Sequence, residues 1–285
     1  MPRSKSTMSS LTDLSESYLR EGAHVPDDIL ASLHADPRSG ARKLAERIEA
    51  RRRANRAEGQ RLRHLLRYET ELWEQGYTRI AGTDEVGMGP LAGPVVAAAV
   101  ILPRDFRPRG INDSKQLDER DHERLCAEVK EAALAWAIGS CDHEEIDRIN
   151  IYRAGLLAMK RAIEGLSVKP DYLLVDARAL RDVRLPQRGI IKGDAKSLTI
   201  AAASVVAKFT RDTLMKQMDE RYPGYGFAAH KGYSVPEHWA ALKKLGPCPI
   251  HRRSFAPVRE ALAPNHPEAP AKQKQLALFA EKARR

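Results

Sequence analysis

Cysteine is scarce in this chain: three residues in 285, Cys126, Cys141 and Cys248, odd in number and widely spaced. That excludes a disulfide framework and fits a reducing, cytoplasmic setting. No apolar stretch approaches the roughly 20 residues of a membrane-spanning helix. The opening MPRSKSTMSSLTDL has no apolar core of a secretory leader, so no membrane partner is expected. No paired C-x-x-C accompanies His230, His238, Cys248 and His251, so zinc is not expected there. Solvated or stacking histidines are the plainer reading. A base deaminase needs H-x-E and P-C-x-x-C, and Pro247-Cys248-Pro249-Ile250 does not supply the second. Gly87-x-Gly89-x-x-x-Gly93 is one residue too long for a dinucleotide loop, and Pro90 and Pro94 interrupt the helix that should follow.

What is present is a large apolar fraction, 42%, beside 30% charged residues and a net charge of +10. That suits one sizeable domain with extensions, or two small ones. The basic excess is local. Residues 36–67 hold 11 Lys and Arg against 4 Asp and Glu, whereas residues 68–258 hold 28 against 26. A basic extension beside a nearly neutral middle suits a polyanionic partner, although its arginines can also pair with its own glutamates.

The pattern predicts a mobile, Ser-rich N-terminus over 1–25 and a basic helical extension over 26–77, with Leu44, Ile48, Leu62, Leu65 and Leu66 as its apolar stripe. From 78 the character changes. Strands are predicted over 78–85, 94–102, 134–141, 171–176 and 189–193, and helices over 117–133, 143–166 and 194–218. PVVAAAVIL at 94–102 is apolar nearly throughout, as a strand buried on both faces is. The order implies an α/β domain over 78–262, a mixed central sheet flanked by helices. Pro264, Pro267 and Pro270 mark 263–285 as a flexible tail.

Four acids fall at element ends, where open α/β sheets gather functional groups. Asp84 and Glu85 end the first strand, Asp176 ends a later one, and Asp194 opens a helix after Lys192-Gly193. Converging carboxylates repel one another, and the natural complement is a hard divalent cation such as Mg²⁺. Two such ions form the clamp used on phosphodiesters. Neighbouring strand residues point to opposite faces, so Asp84 and Glu85 can share a metal only if the strand bends, which Gly87 and Gly89 permit. Taken singly, Asp194 also suits a helix cap and Asp176 a turn.

The words around these acids are specific. GTDEVGMGPLAGPVVA (82–97), NDSK (112–115), LVD (174–176), KGDAKS (192–197), AAAS (201–204), AKFTRD (207–212), HKGY (230–233) and HRRSFAPV (251–258) occur in order. Together they resemble the ribonuclease HII family over about two-thirds of the chain. The resemblance implies a ribonuclease H-like fold with a helical N-terminal extension. It implies a metal-dependent endonuclease, using Mg²⁺ or Mn²⁺, that acts on RNA/DNA hybrids and on duplex DNA carrying a single ribonucleotide, and that works as a monomer. It places the catalytic, metal-holding acids on Asp84, Glu85, Asp176 and Asp194. It places the sensor of the ribose 2′-hydroxyl on Gly87, Met88 and Gly89, and the substrate-positioning tyrosine on Tyr233. Lys115, Lys192, Lys196, Lys208 and Arg211 are the expected phosphate contacts. The family usually carries arginine where this chain has Met88, and methionine donates no hydrogen bond to phosphate. Weaker substrate binding is therefore expected unless another cation, Lys115 or Arg211, substitutes. A catalytically idle nucleic-acid-binding protein, or another nuclease of the fold, is the alternative.

One motif stands apart. QLALF at 275–279, in the polar tail, resembles the peptide with which bacterial proteins bind the DNA polymerase sliding clamp. Gln275, Leu276, Leu278 and Phe279 are the expected clamp contacts, since apolar side chains on a mobile segment can anchor in a partner's pocket.

Overall fold

The structure, a computed structural model, describes residues 10–20, 24–111 and 118–262. Lys115 and its NDSK motif, and the tail with its clamp-like peptide, lie outside the described residues. Two compact units divide at Arg63 and His64. This division falls inside the expected helical extension, so residues 64–77 pack with the second unit. Among the described residues no helix is long and apolar enough to cross a membrane.

The first unit is helical. Helix α1 (Leu11–Leu19) corrects the expectation of a mobile segment over 1–25. Ser10 and Asp13 form a reciprocal capping box, each side chain accepting the other's backbone N–H at 3.1 Å, which satisfies two donors that a helix start leaves unpaired. Helix α2 (Asp27–Ala35) and helix α3 (Ser39–Leu65) follow. Val25, Leu33, Leu44 and Ile48 close a small core, with Leu11 and Leu14 packed on it.

In the second unit α4 (Arg67–Glu74) leads into strands β1 (Ile80–Val86) and β2 (Val95–Ile101), then helix α5 (Glu119–Ala132) and strand β3 (Ala135–Cys141). The segment expected as one helix over 143–166 is two, α6 (His143–Ile149) and α7 (Ile151–Glu164). They break at Asn150, whose φ of 70° is tolerated by asparagine. Its side chain caps α7 by accepting from the Arg153 N–H at 3.0 Å. Strands β4 (Tyr172–Asp176) and β5 (Gln187–Ile190) precede a 3₁₀ turn (Gly193–Ala195) and the long helix α8 (Leu198–Arg221). Asp194 thus lies in that turn, and Ser197 caps α8. Short helices α9 (Phe227–His230), α10 (Pro236–Leu245) and α11 (Ala256–Ala261) complete it.

The sheet order is β3-β2-β1-β4-β5. β2 runs antiparallel to β1 and β3, while β4 runs parallel to β1 and β5. Alternate β2 residues feed two cores, as period-2 geometry requires. Ala98 and Val100 pack with Leu125 of α5 and the apolar run of α8. Ala97 and Ala99 pack with Ala154 and Ala158 of α7. The central strand β1 therefore ends between two helical layers.

Candidate active site

The site grows from the C-terminal end of β1. Asp84 is 7% exposed and pairs in register with Ala98 of β2. Its Oδ1 accepts the Glu85 N–H at 2.8 Å, and the Ser204 hydroxyl of α8 also bonds to the carboxylate. Next door, β4 ends in Asp176, whose Oδ1 accepts the Gly193 N–H at 2.6 Å. That bond ties the 3₁₀ turn to the strand end and so brings Asp194, 9% exposed, to the same place. Asp194 Oδ1 accepts the Ala195 N–H at 3.0 Å.

The electrostatics report the convergence. Burial pushes the Asp84 carboxyl well above its usual range, and the charges of Glu85, Asp176 and Asp194 push it further. The concern over opposite faces is realised: Asp84 bonds to α8, whereas a Cβ on Gly155 of α7 would lie 3.8 Å from Glu85 Cγ. Glu85 nevertheless raises Asp84 more than Asp176 or Asp194 does. Among the described residues no set of three or more His, Cys, Asp or Glu side chains is drawn into metal-holding geometry. The donor chemistry still fits: four oxygen donors crowd one strand end, and a divalent cation is what relieves their repulsion.

A carboxylate missed in the sequence supports this arrangement. Glu69 of α4 is 1% exposed. Its Oε1 accepts from Ser197 Oγ at 2.6 Å and the Thr199 N–H at 2.9 Å, with Thr199 Oγ1 as a third donor. It seals the N-terminal end of α8, where burial pushes its pKa up while these donors and the helix dipole favour the carboxylate. Nothing in the periodicity of α4 marks Glu69 as buried. Its partners lie more than a hundred residues on.

The expected substrate contacts separate into groups. Gly89 and Tyr233 come together: a Cβ on Gly89 would lie 3.9 Å from Tyr233 Cε1, and Tyr233 is 38% exposed. Lys192 is exposed and starts the Asp194 turn in a left-handed conformation, φ 58°. Lys196 Nζ donates to the Ile191 carbonyl at 2.8 Å, and Lys208 pairs with Asp212. Met88 folds inward, its Sδ 2.9 Å from a Cβ built on Gly155. Arg211 corrects its expectation as a phosphate contact. It is fully buried and spends its Nε on the Pro94 carbonyl at 3.0 Å and its Nη2 on the Ala92 carbonyl at 3.3 Å. It also cannot stand in for the arginine missing at Met88.

The histidines stack, as one of the two plain readings had it, but two of them are not solvated. His238 and His251 are fully buried and share an Nε2–Nε2 hydrogen bond of 3.1 Å. His238 and His230 stack at 4.6 Å. His238 Nδ1 donates to the Tyr233 carbonyl at 2.9 Å, and His251 Nδ1 accepts the Cys248 N–H at 3.0 Å. Burial pushes His251 down to about 3 and lowers His238 as well, so the buried pair is neutral at physiological pH.

With the geometry established, comparison with known proteins is decisive. The family model for ribonuclease HII matches residues 81–258, and that for the ribonuclease HII N-terminal domain matches residues 16–73. The chain belongs to the ribonuclease HII family. It is a metal-dependent endoribonuclease of the ribonuclease H type, acting on RNA/DNA hybrids. A ribonuclease HII from Myxococcus xanthus is 61% identical over 253 residues, 88% of this chain and 86% of that protein. Among solved structures, ribonuclease H2 from Pyrococcus horikoshii matches with a TM-score of 0.55 and 26% identity, over 64% of this chain and 96% of that one. The ribonuclease HII of Archaeoglobus fulgidus, solved in complex with PCNA, matches with a TM-score of 0.54 and 26% identity, over 62% of this chain and 95% of that one. The ribonuclease H-like fold expected from the motifs is the fold observed.

Proposed function

We propose that this ribonuclease HII hydrolyses RNA in hybrids and also nicks duplex DNA on the 5′ side of a single embedded ribonucleotide. The observation that carries the catalytic assignment is the Asp84 carboxyl, buried and crowded by three other carboxylates at one strand end. Asp84, Glu85, Asp176 and Asp194 are the residues that would hold Mg²⁺ or Mn²⁺. A pair of such ions would supply activation of water and stabilisation of the charge on the leaving 3′-oxygen. The protein's own part is positional. Ser204 orients Asp84, and the Gly193 N–H orients Asp176. Gly87 and Gly89, without Cβ atoms, let the backbone reach a ribose 2′-hydroxyl, the group that separates RNA from DNA. Tyr233, beside Gly89, stacks on a sugar or base. Lys192, Lys196 and Lys208 take phosphate, as does Lys115.

The test is nicking of a labelled DNA duplex with one ribonucleotide, beside an all-DNA duplex and a continuous hybrid, each with Mg²⁺, Mn²⁺ or EDTA. The expected result is a metal-dependent cut 5′ of the ribonucleotide and none in all-DNA. Cutting only the hybrid overturns the single-ribonucleotide reading. In the same assay Met88→Arg should raise kcat/KM about tenfold, since a charge-assisted phosphate bond contributes roughly 1.5–3 kcal/mol. The Met88 side chain leans on Gly155 rather than toward solvent, so the arginine must abandon that packing to reach phosphate. No gain shows that the missing guanidinium is not limiting.

We further infer that Gln275, Leu276, Leu278 and Phe279 bind a sliding clamp. The sequence of this segment supports that reading, as does the relative from Archaeoglobus fulgidus solved with PCNA. Deleting 272–285 should abolish clamp binding in surface plasmon resonance and leave nicking of a short duplex unchanged. Unchanged clamp affinity rejects the assignment.

A further inference from the structure

The connection between β1 and β2, residues 87–94, is held from beneath by two arginines. Arg252 donates from Nη2 to the Gly87 carbonyl at 2.6 Å, from Nη1 to the Met88 carbonyl at 3.2 Å and from Nε to the Gly93 carbonyl at 2.9 Å. Arg211 takes the Ala92 and Pro94 carbonyls. Five carbonyls of one short loop therefore point at two guanidinium groups. Both side chains are fully buried, and among the described residues no carboxylate is a hydrogen-bond partner of either. Tyr233 beside both, Asp147 beside Arg252 and Asp212 beside Arg211 favour the charged forms without a hydrogen bond to either guanidinium among the described residues. Burial and the neighbouring Arg211 bring Arg252 down to about 9, still protonated at neutral pH. Two adjacent cations buried with no anion hydrogen-bonded to them among the described residues are costly, and a fold that needed only a tight loop could have used neutral donors.

The geometry has a consequence. In a trans peptide the C=O and the following N–H point in opposite directions. Turning the Gly87 and Met88 carbonyls in toward Arg252 turns the Met88 and Gly89 N–H groups out. Neither N–H has an acceptor among the described residues. Gly87 is buried with φ +92°, and a Cβ there would come within 2.7 Å of Arg211 Cδ and closer still to its Nε. Gly89 is exposed beside Tyr233, whose ring is 5.7 Å from the Arg211 guanidinium carbon.

We propose that Arg252, backed by Arg211, is the positioning residue that sets ribose discrimination: it aims the Met88 and Gly89 N–H groups at the substrate strand and supplies the positive field behind them. The inference rests on the reading of residues 87–89 as the 2′-hydroxyl sensor. The positive charge passes to the substrate through main-chain dipoles, so no arginine side chain need touch it. The negatively charged strand is the anion that completes the pair.

Arg252→Lys and Arg211→Lys test this, because lysine keeps the charge but cannot reach several carbonyls at once. Arg253→Lys, exposed and not bonded to the loop, is the control. For each folded variant, kcat and KM are measured on the single-ribonucleotide duplex, with affinity for the all-DNA duplex beside it. The expected result for Arg252→Lys is a rise of at least tenfold in KM for the ribonucleotide substrate, a smaller change in kcat, and unchanged all-DNA affinity. A merely structural role would lower the active fraction and leave KM and the discrimination ratio alone, and that outcome overturns the proposal. If both lysine variants fail to fold, the wild-type chain decides the matter. With arginine labelled in ¹⁵N, two solvent-protected guanidinium Nε–H signals should shift on adding the ribonucleotide duplex and not on adding all-DNA. Equal shifts, or none, overturn it. A wild-type enzyme that fails to distinguish the two duplexes rejects the sensor reading itself, which is a separate failure.

Discussion

Asp84→Asn is expected to abolish turnover and, at the same time, to make the metal-free protein more stable. The two effects share one cause. Asp84 is 7% exposed at the end of β1, and burial and the charges of Glu85, Asp176 and Asp194 all oppose its ionisation. Asparagine keeps an oxygen to accept the Glu85 N–H, removes the charge, and adds donors for the neighbouring carboxylates. Removing a charge that burial and three neighbouring carboxylates oppose should raise the stability of the metal-free fold. The rate should fall by about 10³-fold or more, since groups that act as a unit fail together. A carboxyl raised above its unfolded value destabilises the fold fully above the folded pKa, and the penalty fades as pH falls through it. The difference in Tm between Asp84→Asn and wild type should therefore be largest in EDTA at alkaline pH and shrink as the pH falls. It should also shrink when Mg²⁺ or Mn²⁺ is added, because the ion binds the folded wild type and not the variant. A lower Tm for the variant in EDTA, or retained nicking, rejects this account.

The sequence displays only part of this site. The four acids were legible because each ends a strand or opens a turn, and such ends meet in an open sheet. The buried strand β2 was legible from its unbroken apolar run. Arg211 was misread because a charged side chain in a basic motif suggests surface. Its actual partners are main-chain carbonyls of a glycine-rich loop, and carbonyls are not encoded by side-chain type. Arg252, inside the HRRSFAPV motif, is concealed for the same reason. Glu69 belongs to a helix that reads as part of a basic extension, and its burial depends on Ser197 and Thr199 packing across from it. The break at Asn150 was hidden by apolar periodicity that runs straight through it, since one residue at positive φ changes direction without changing pattern. What local pattern carried, the sequence showed; what long-range main-chain contacts decide, it did not.

Gly82→Ala should cost the fold itself, although Gly82 touches neither substrate nor metal. Gly82 and Asp84 lie two apart on β1 and so share a face, the face covered by α8. A Cβ on Gly82 would fall 2.5 Å from both Ile200 N and Thr199 O, and nearer still to the Thr199 carbonyl carbon. These are backbone atoms of a helix buried along this stretch, so no rotamer change can relieve the overlap. The spacings match. Two strand residues span about 6.6 Å, and the five from Thr199 to Ser204 span about 7.5 Å of helix. Contact at Gly82 therefore puts Ser204 within reach of Asp84. Lifting α8 enough to admit a methyl would also pull Thr199 from Glu69 and loosen the turn that carries Asp194. A loss above roughly 4 kcal/mol is expected, beyond ordinary overpacking and comparable with the whole stability of a typical domain. Gly155→Ala is the matched comparison, since its new Cβ meets only the flexible end of Met88 and the Glu85 side chain. Thermal melts of the two should differ by 10 °C or more at roughly 2–4 °C per kcal/mol. Equal melts would show that α8 can move away from β1 without penalty, and the placement of Asp84 would then need another support.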